Sequence, residues 1–431
     1  MRLTVRKVSM KATSRLLAAL VLGAAMITVP AFTPDGVVAA QEKPKVSKAV
    51  AKPLKAAQDA LNAKKWQEAL ARLKEVQAIP AKSPYDEFLM NEMLGFAYVR
   101  TSQFPDAARH LEAGFNSQYF DQAQTASRVN ALAQVNYQLK NYDKAVEYGN
   151  RAIKGGFADD DMYTLVGQAH YIKGDYKGTL RFMNNYVDSI EKRGGTPKEQ
   201  SLELIMSSCI KLDDAECTTK ALERLVSRYP KPVYWQNLMY SLFKAQDNND
   251  KQLLHIYRLA SEVDVLKRPE DYTEMAQLAI EQGSPGEAQR ILEKGIAKNV
   301  FAEQRDKDRN TRLLESAKKQ AATDQASIPK MAKEAEAANA TGDRLVGLGI
   351  AYMSYQQYDK AADAFQRALA KGSVKNPEEA QIFLGIAQLK QQKKDEALKA
   401  FRAVKNDPKL TRIASLWALH AQQSPTPTAK R

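Results

Sequence analysis

A small residue followed at a fixed distance by an aromatic turn recurs along this chain, and this recurrence constrains the fold more than any other feature. The sequence LGFAY at 94–98 is followed by FPDA at 104–107, and LGIAY at 348–352 is followed by YDKA at 358–361. Within each run the small residues are 34 to 38 positions apart. Self-similarity at such a period indicates a repeat array, in which each unit buries its apolar face against its neighbours. The clearest small residues are Gly95, Ala133, Gly167, Gly349 and Gly385.

The pattern L-G-x-x-Y, followed by aromatic-x-x-A-x-x-x-(L/F), resembles the tetratricopeptide repeat, a pair of antiparallel helices with a period of about 34 residues. The resemblance implies an all-α fold, a right-handed superhelical solenoid of antiparallel helix pairs. A small residue midway along the first helix lets the second helix approach closely. The small residues expected on the second helices are Ala69, Ala107, Ala145, Ala288, Ala361 and Ala397. The larger residues expected to fill the space between helices are Leu73, Leu111, Leu292, Phe365 and Phe401.

Extension of these units predicts nine helix pairs in two blocks. Residues 41–298 form an N-terminal block of about seven pairs, and residues 343–423 form a C-terminal block that ends in an amphipathic capping helix at 410–423. The tail at 424–431 is expected to be disordered. The predicted pairs span 48–79, 85–116, 122–154, 159–191, 198–229, 232–263, 269–298, 343–371 and 377–405.

The highly charged stretch at 299–342 breaks the period. It is interpreted as a divergent helical segment, either a degenerate pair of helices or a helical spacer between the blocks. A narrow apolar stripe through Leu313, Leu314, Ala335 and Ala338 favours the pair.

The first forty residues have the layout of a secretory signal peptide. Basic residues precede an uncharged apolar run at 16–29, and small residues lead to the sequence Val38-Ala39-Ala40. The run is shorter than the roughly 20 residues that span a membrane. We expect cleavage near Ala40 and a periplasmic protein without an integral span. Cleavage at 29–31 and an uncleaved anchor are the alternatives.

The chain is basic, with 64 Lys and Arg against 50 Asp and Glu and a net charge of +14. Loss of residues 1–40 removes five positive charges and Asp35, which leaves +10. Outside the cytoplasm such charge suits anionic headgroups, cell-wall polymer or an acidic protein better than nucleic acid. A solvated basic surface is the simpler interpretation, because no run of five basic residues occurs.

Cys209 and Cys217 are the only cysteines and flank a predicted helix turn. Export would place them where disulfides form, and a bridge closing so small a loop is worth about 2.5 kcal/mol. The spacing does not fit a C-x-x-C redox motif. A disulfide is expected, and two buried free thiols are the alternative.

The sequence contains none of the common catalytic or nucleotide-binding motifs. With two Cys and four His, it also lacks the residues of a zinc framework. The acidic run 159–161 stands at a predicted helix start, where it would cap the helix. We therefore expect no catalytic residue, cofactor or metal. The histidines are isolated on different helix pairs, and His170 in particular is expected to be a helix contact; they are His110, His170, His255 and His420.

The remaining functional surface is the concave face expected of a helical solenoid. In the tetratricopeptide family the first helix of each pair lines this face, one and four positions after the small residue. The N-terminal positions offer a ladder of amide and aromatic groups that could hold a peptide, and they are Phe96, Val99, Gln134, Tyr137, Gln168 and Tyr171. The C-terminal positions form an apolar strip of the kind that usually marks a partner site, unless the solenoid itself covers it. They are Ile350, Met353, Ile386 and Leu389.

The C-terminal repeats, from LGIAYMSYQQYDKAADAF to the Trp-containing last helix, are similar to exported tetratricopeptide proteins that accompany TonB-type energy-transducing systems. This resemblance implies a periplasmic adaptor that contacts envelope energy-transduction or transport components. Two other functions stay open. The first is a structural factor that binds envelope polymer through its basic surface, and the second is an enzyme without a recognisable motif.

Overall fold

The computed structural model describes residues 44–245, 248–337 and 339–424. These residues form 20 α-helices and no β-strand, so the predicted all-α solenoid of antiparallel helix pairs is confirmed. The signal segment with its cleavage site, Ala338 of the proposed apolar stripe and the tail after Ser424 lie outside the described residues.

The chain divides into two compact units between Asp214 and Ala215. Their described parts are called the N-terminal unit, residues 44–214, and the C-terminal unit, residues 215–424. The sequence placed its block boundary at residue 298, some eighty residues later. The division between the compact units falls within the predicted helix pair at 198–229 and is a different kind of boundary from the one between repeat blocks.

The N-terminal unit consists of nine helices. A short 3-10 turn at Gln122–Gln124 precedes α5. The helices are α1 Lys48–Asn62, α2 Trp66–Ala78, α3 Pro84–Arg100, α4 Phe104–Phe115, α5 Thr125–Gln138, α6 Tyr142–Lys154, α7 Asp160–Ile172, α8 Tyr176–Lys192 and α9 Glu199–Lys211.

The C-terminal unit consists of eleven helices. They are α10 Ala215–Arg228, α11 Pro232–Phe243, α12 Asp250–Glu262, α13 Pro269–Glu281, α14 Pro285–Ala297, α15 Gln304–Ala335, α16 Gly342–Ser354, α17 Tyr358–Lys371, α18 Pro377–Lys390, α19 Lys394–Arg402 and α20 Pro408–Gln423. The favoured interpretation of 299–342 as two helices is wrong, because α15 is a single helix of 32 residues. Its apolar residues still form one stripe, since Leu314, Ala317 and Ala321 are buried three and four positions apart.

The small residues hold the two helices of each pair together as the sequence predicted. A Cβ added to Gly95 would lie 2.9 Å from Leu111 Cδ2, and one added to Gly385 would lie 2.5 Å from Phe401 Cε1. Real Cβ atoms do not approach other atoms so closely. The large side chain of the second helix therefore occupies the space that the small residue leaves free.

Most turns within a pair contain one residue in the left-handed region of φ. This conformation ends the first helix and reverses the direction of the chain. Examples are Lys64 with φ 58°, Ser102 with φ 57° and Gln356 with φ 58°. Glycine supplies the same conformation at Gly174 and Gly283. The repeat therefore imposes this backbone geometry on ordinary residues as well as on glycine.

The C-terminal unit closes on itself, because its last helices pack against its first ones. On α20, Arg412 forms ion pairs of 2.8 Å with Glu216 and 2.7 Å with Glu223 of α10. The Gln423 amide donates to the carbonyl oxygen of Val226, 2.9 Å away and 197 positions earlier. The helix predicted to cap the array therefore also joins the two ends of the C-terminal unit.

A second set of contacts closes the unit between α12 and α18. Glu379 of α18 lies 3.1 Å from Lys251 and 3.6 Å from His255, both on α12. In the opposite direction, Lys390 of α18 binds Glu262 of α12 at 2.5 Å. We call these five residues the seam.

Candidate functional site

The first helices of neighbouring pairs in the N-terminal unit contact one another, as α5 does with α7. Their predicted amide and aromatic ladder is present at this contact. The Tyr137 hydroxyl on α5 donates a hydrogen bond of 3.1 Å to Oε1 of Gln168 on α7. Burial raises the pKa of Tyr137 to about 12, so its hydroxyl keeps its proton at neutral pH.

The ladder includes a residue that the sequence analysis missed. Asn130 stands one helical turn before Gln134 on α5, so the two amides share one face. Asn130 Oδ1 and Gln134 Oε1 are both buried, and neither accepts a hydrogen bond within the part of the chain that the structure describes. Asn130 is three positions before the small residue Ala133. The predicted positions lie one and four places after the small residue, and including the position one helical turn earlier would have identified Asn130.

Unpaired buried amide oxygens cost about 1–3 kcal/mol each, so a native structure that keeps them requires an explanation. An amide that turns end for end exchanges its oxygen for an NH₂ donor. Asn130 and Gln134 can therefore offer either partner to a peptide backbone that lies along the ladder.

The aromatic and apolar ladder positions differ in exposure. Phe96 and Tyr171 are half-buried, with ring contacts to Trp66 at 5.8 Å and to Tyr176 at 5.2 Å. Val99 and Tyr137 are only 4% and 7% exposed. Tyr171, Gln134 and Gln168 thus remain available to a partner, whereas Val99 and most of the Tyr137 ring belong to the packing.

The C-terminal apolar strip is not an open surface. Ile386 is 4% exposed, and Ile350, Met353 and Leu389 are half-buried. The cover is supplied by the unit itself, because α12 and α14 face the strip. Arg258 of α12 stacks on the ring of Phe383 at 4.9 Å, beside the strip. The expectation of an exposed strip is therefore wrong for Ile386, and self-coverage is the arrangement observed.

The acidic run at 159–161 caps α7 as expected. The Asp159 side chain accepts a hydrogen bond of 2.9 Å from the backbone of Met162. Asp160 accepts from the Tyr186 hydroxyl, and Asp161 forms an ion pair of 2.7 Å with Lys198. No three His, Cys, Asp or Glu side chains in the described ranges come together as a metal site requires.

The four histidines take structural positions. His110 is buried, with Nδ1 2.7 Å from Asn91 Oδ1, and His170 lies 3.1 Å from Asp175, which makes it a helix-end contact as predicted. His255, one of the seam residues, is completely buried. His420 lies 3.7 Å from Glu262. His255 and His420 are thus brought to the same seam although they stand on distant helices.

Neither cysteine is a free thiol, since Cys209 on α9 and Cys217 on α10 are each disulfide-bonded. Cys209 is completely buried. Among the described residues, no helix combines the length and the apolar character required to cross a membrane.

Two stretches of the chain, 92–161 and 346–410, match the model of the tetratricopeptide repeat. The chain therefore contains tetratricopeptide repeats in these two stretches, within a solenoid of paired helices. Repeats of this class mediate protein–protein interaction and are generally non-catalytic. No curated relative matches the chain in sequence.

Solved structures of repeat proteins resemble the chain at low identity. A tetratricopeptide repeat protein from Parabacteroides merdae is 13% identical over 70% of this chain and 99% of its own, with a TM-score of 0.30. The C-terminal part of a repeat-containing protein from Cytophaga hutchinsonii is 12% identical over 76% and 98%, with a TM-score of 0.34. The TPR2AB domain of yeast Sti1, in a complex with pHSP90, is 15% identical over 70% and 100%, with a TM-score of 0.25.

Proposed function

We propose that the protein is a non-catalytic periplasmic scaffold that binds a partner protein along the first-helix face of its N-terminal unit, within a TonB-type energy-transducing system. The partner-binding part of this proposal rests mainly on one observation. Asn130 and Gln134 present buried, unpaired amide oxygens on the face where the half-buried Tyr171 also lies.

The chemistry of this face suits an extended peptide. Amide side chains pair with the backbone of any sequence, and tyrosine adds contact area at low entropic cost. The periplasmic location rests on the leader at 1–40, and the TonB-type context rests on the resemblance of the C-terminal repeats. The location is tested by fractionation and by N-terminal sequencing of the mature protein, which should begin near residue 41.

The binding face is tested by site-specific photocrosslinking in intact cells. A benzophenone amino acid at Tyr171 should capture the partner, which is then identified by mass spectrometry. The same amino acid at Phe157, an exposed aromatic residue in the loop before α7, is the matched control and should not capture it. Equal capture at both positions would contradict the proposal.

Binding by the purified partner should then be weakened by Tyr171→Ala and by Gln168→Ala, by about tenfold or more for an anchor residue. Tyr137→Phe is preferred to Tyr137→Ala, because it removes the hydroxyl and keeps the buried ring. Far-UV circular dichroism should remain that of the unmodified protein for each variant.

The basic surface supports the second candidate, a factor that binds envelope polymer. Residues 215–431 contain 35 Lys and Arg against 27 Asp and Glu, whereas residues 41–214 contain 24 against 22. Binding to purified cell wall that is lost at high salt, and that does not respond to Tyr171→Ala, would favour this function over the scaffold.

A further inference from the structure

A cavity of about 270 Å³ lies inside the C-terminal unit. Helices α12, α14, α16 and α18 contribute to its wall, and Trp417 of α20 contributes as well. The volume is near the lower end of the roughly 300–1,000 Å³ typical of ligand pockets. The cavity can hold a small molecule but has no room for a folded partner.

The wall of the cavity contains more cations than anions. Both carboxylates of the wall are already neutralised, since Glu287 binds Arg258 at 2.7 Å and Glu262 binds Lys390 at 2.5 Å. Arg290 and Lys294 also line the cavity, and each lacks such a partner within its wall. The cavity therefore has positive charge in excess.

Arg290 donates to the carbonyl oxygens of Gly286 and Ser354 and forms no ion pair with any described residue. Its guanidinium has further N–H donors to offer. Lys294, one turn later on α14, is 3.6 Å from Asp264, a carboxylate that Lys298 already binds. Burial lowers the pKa of Lys294, in keeping with a cation that is incompletely compensated.

A neutral donor adds to the two cations. Trp417 is 1% exposed, and its buried indole N–H has no acceptor among the residues described. An unpaired buried donor is unfavourable, and an anion in the cavity could pair with it. This observation is independent of the charge excess and indicates the same kind of ligand.

The rest of the wall is apolar. Met353 and Ile386, which the sequence assigned to an exposed partner strip, line the cavity together with Met275, Ile291 and Phe383. Ile386 and Phe383 are almost fully buried. A ligand that satisfies the whole wall therefore carries both a negative group and a hydrocarbon part.

We propose that the C-terminal unit binds a small organic carboxylate with an apolar chain in this cavity. Its carboxylate contacts Arg290 and Lys294, and its chain lies against Met353, Ile386 and Phe383. The site is separate from the peptide-binding face proposed for the N-terminal unit, so each proposal can fail without the other.

The test is isothermal titration calorimetry of the full mature protein with three probes: octanoate, octanamide and acetate. Octanoate should bind saturably at one site. Octanamide keeps the chain without the charge, and acetate keeps the charge without the chain. Each should bind at least about tenfold more weakly, because octanamide loses the charge-assisted hydrogen bonds and acetate loses the apolar burial. Equal binding of octanoate and octanamide would overturn the proposal.

Variants locate the site. Arg290→Gln and Lys294→Gln should each weaken octanoate binding by about tenfold or more. Lys319→Gln is the matched control, because Lys319 is exposed on the following helix α15 and does not line the cavity. Circular dichroism establishes that each variant is folded, and the two cavity variants are independent of one another.

Tryptophan fluorescence gives a second measurement. Octanoate should change the emission of the unmodified protein but not that of Trp417→Phe, in which Trp66 and Trp235 remain. Undiminished octanoate binding by both Arg290→Gln and Lys294→Gln, or no saturable binding at millimolar octanoate, would refute the site. Tighter binding of a short peptide through its C-terminal carboxylate would also overturn the proposal, because the ligand would then be a peptide end.

Discussion

At position 349 the chain has no room for a side chain, because the ring of Phe365 occupies the space. A Cβ at Gly349 would lie 2.7 Å from Phe365 Cε1. Two residues earlier on the same helix, a Cβ at Gly347 would meet no atom within 4 Å. The two glycines of α16 therefore have different roles, although the sequence shows only a G-x-G.

We expect Gly349→Ala to destabilise the protein by about 1–3 kcal/mol, since the ring of Phe365 has to move. Gly347→Ala should stabilise it by about 0.5–1 kcal/mol, because alanine is the better helix former and fits without contact. Urea denaturation followed by circular dichroism measures both. Similar changes for the two variants would show that the close helix approach does not hold this pair together.

Tyr137 shows where prediction from residue positions reaches its limit. The periodicity correctly placed it on the first-helix face beside Gln168. Its exposure depends on how closely α5 and α7 approach, which the sequence of one repeat does not determine. The face of a helix on which a residue lies is determined by the local sequence, whereas the solvent exposure of its side chain depends on how the neighbouring repeat packs.

At the scale of elements, the helix pairs were predictable because each needs only contacts between adjacent segments. The long helix α15 was not, because the apolar residues of 299–342 are compatible with one helix or with two. Closure of the C-terminal unit was also not predictable. It depends on small rotations accumulated over many pairs, and the contact between Lys251 and Glu379 spans 128 positions.

The two cysteines provide a prediction for the pair α9 and α10. Non-reducing mass mapping of the purified protein should find Cys209 joined to Cys217, and reduction should lower stability by about 2.5 kcal/mol. Quantitative alkylation of both thiols before reduction would contradict the pairing.

The seam should weaken in mild acid. Burial lowers the pKa of His255 below its usual 6.5 despite the nearby Glu379, with Arg258 acting in the same direction as burial. The unfolded or opened form therefore binds a proton more readily, so stability falls as the pH drops below about 6.5. Burial opposes ionisation of Glu379, but His255 and Lys251 lower its pKa to about 2. The contribution of Glu379 to the stability of the folded state is therefore lost only below about pH 4.5.

Hydrogen exchange of α12 measures this effect. Protection of its amides, corrected for intrinsic rates, should be lower at about pH 5.5 than at about pH 7.5, the range in which histidine titrates. His255→Gln should remove most of the difference. Equal protection of α12 at the two pH values in the unmodified protein would exclude His255 as the sensitive group.

At the scale of the whole molecule, the basic character of the protein is concentrated in one part of the chain. Residues 215–431 have a charge of +8 and residues 41–214 a charge of +2, from the counts given above. The amide and tyrosine ladder is in the nearly neutral part. The fold class could be predicted from the sequence, but the sequence does not determine which of the predicted faces stays open.

The contact between α20 and α10 affects how the C-terminal unit folds. A linear array folds through contacts between neighbouring repeats and can grow from either end. Here the contact between Gln423 and Val226 joins segments 197 positions apart, and such distant contacts slow folding. Chains are synthesised from the N-terminus. The surfaces of α10 and α12 that α20 covers therefore stay exposed to solvent until α20 has been synthesised. Removal of α20 would therefore break the contact between the two ends of this unit, whereas loss of the last helix would only fray the end of an ordinary solenoid.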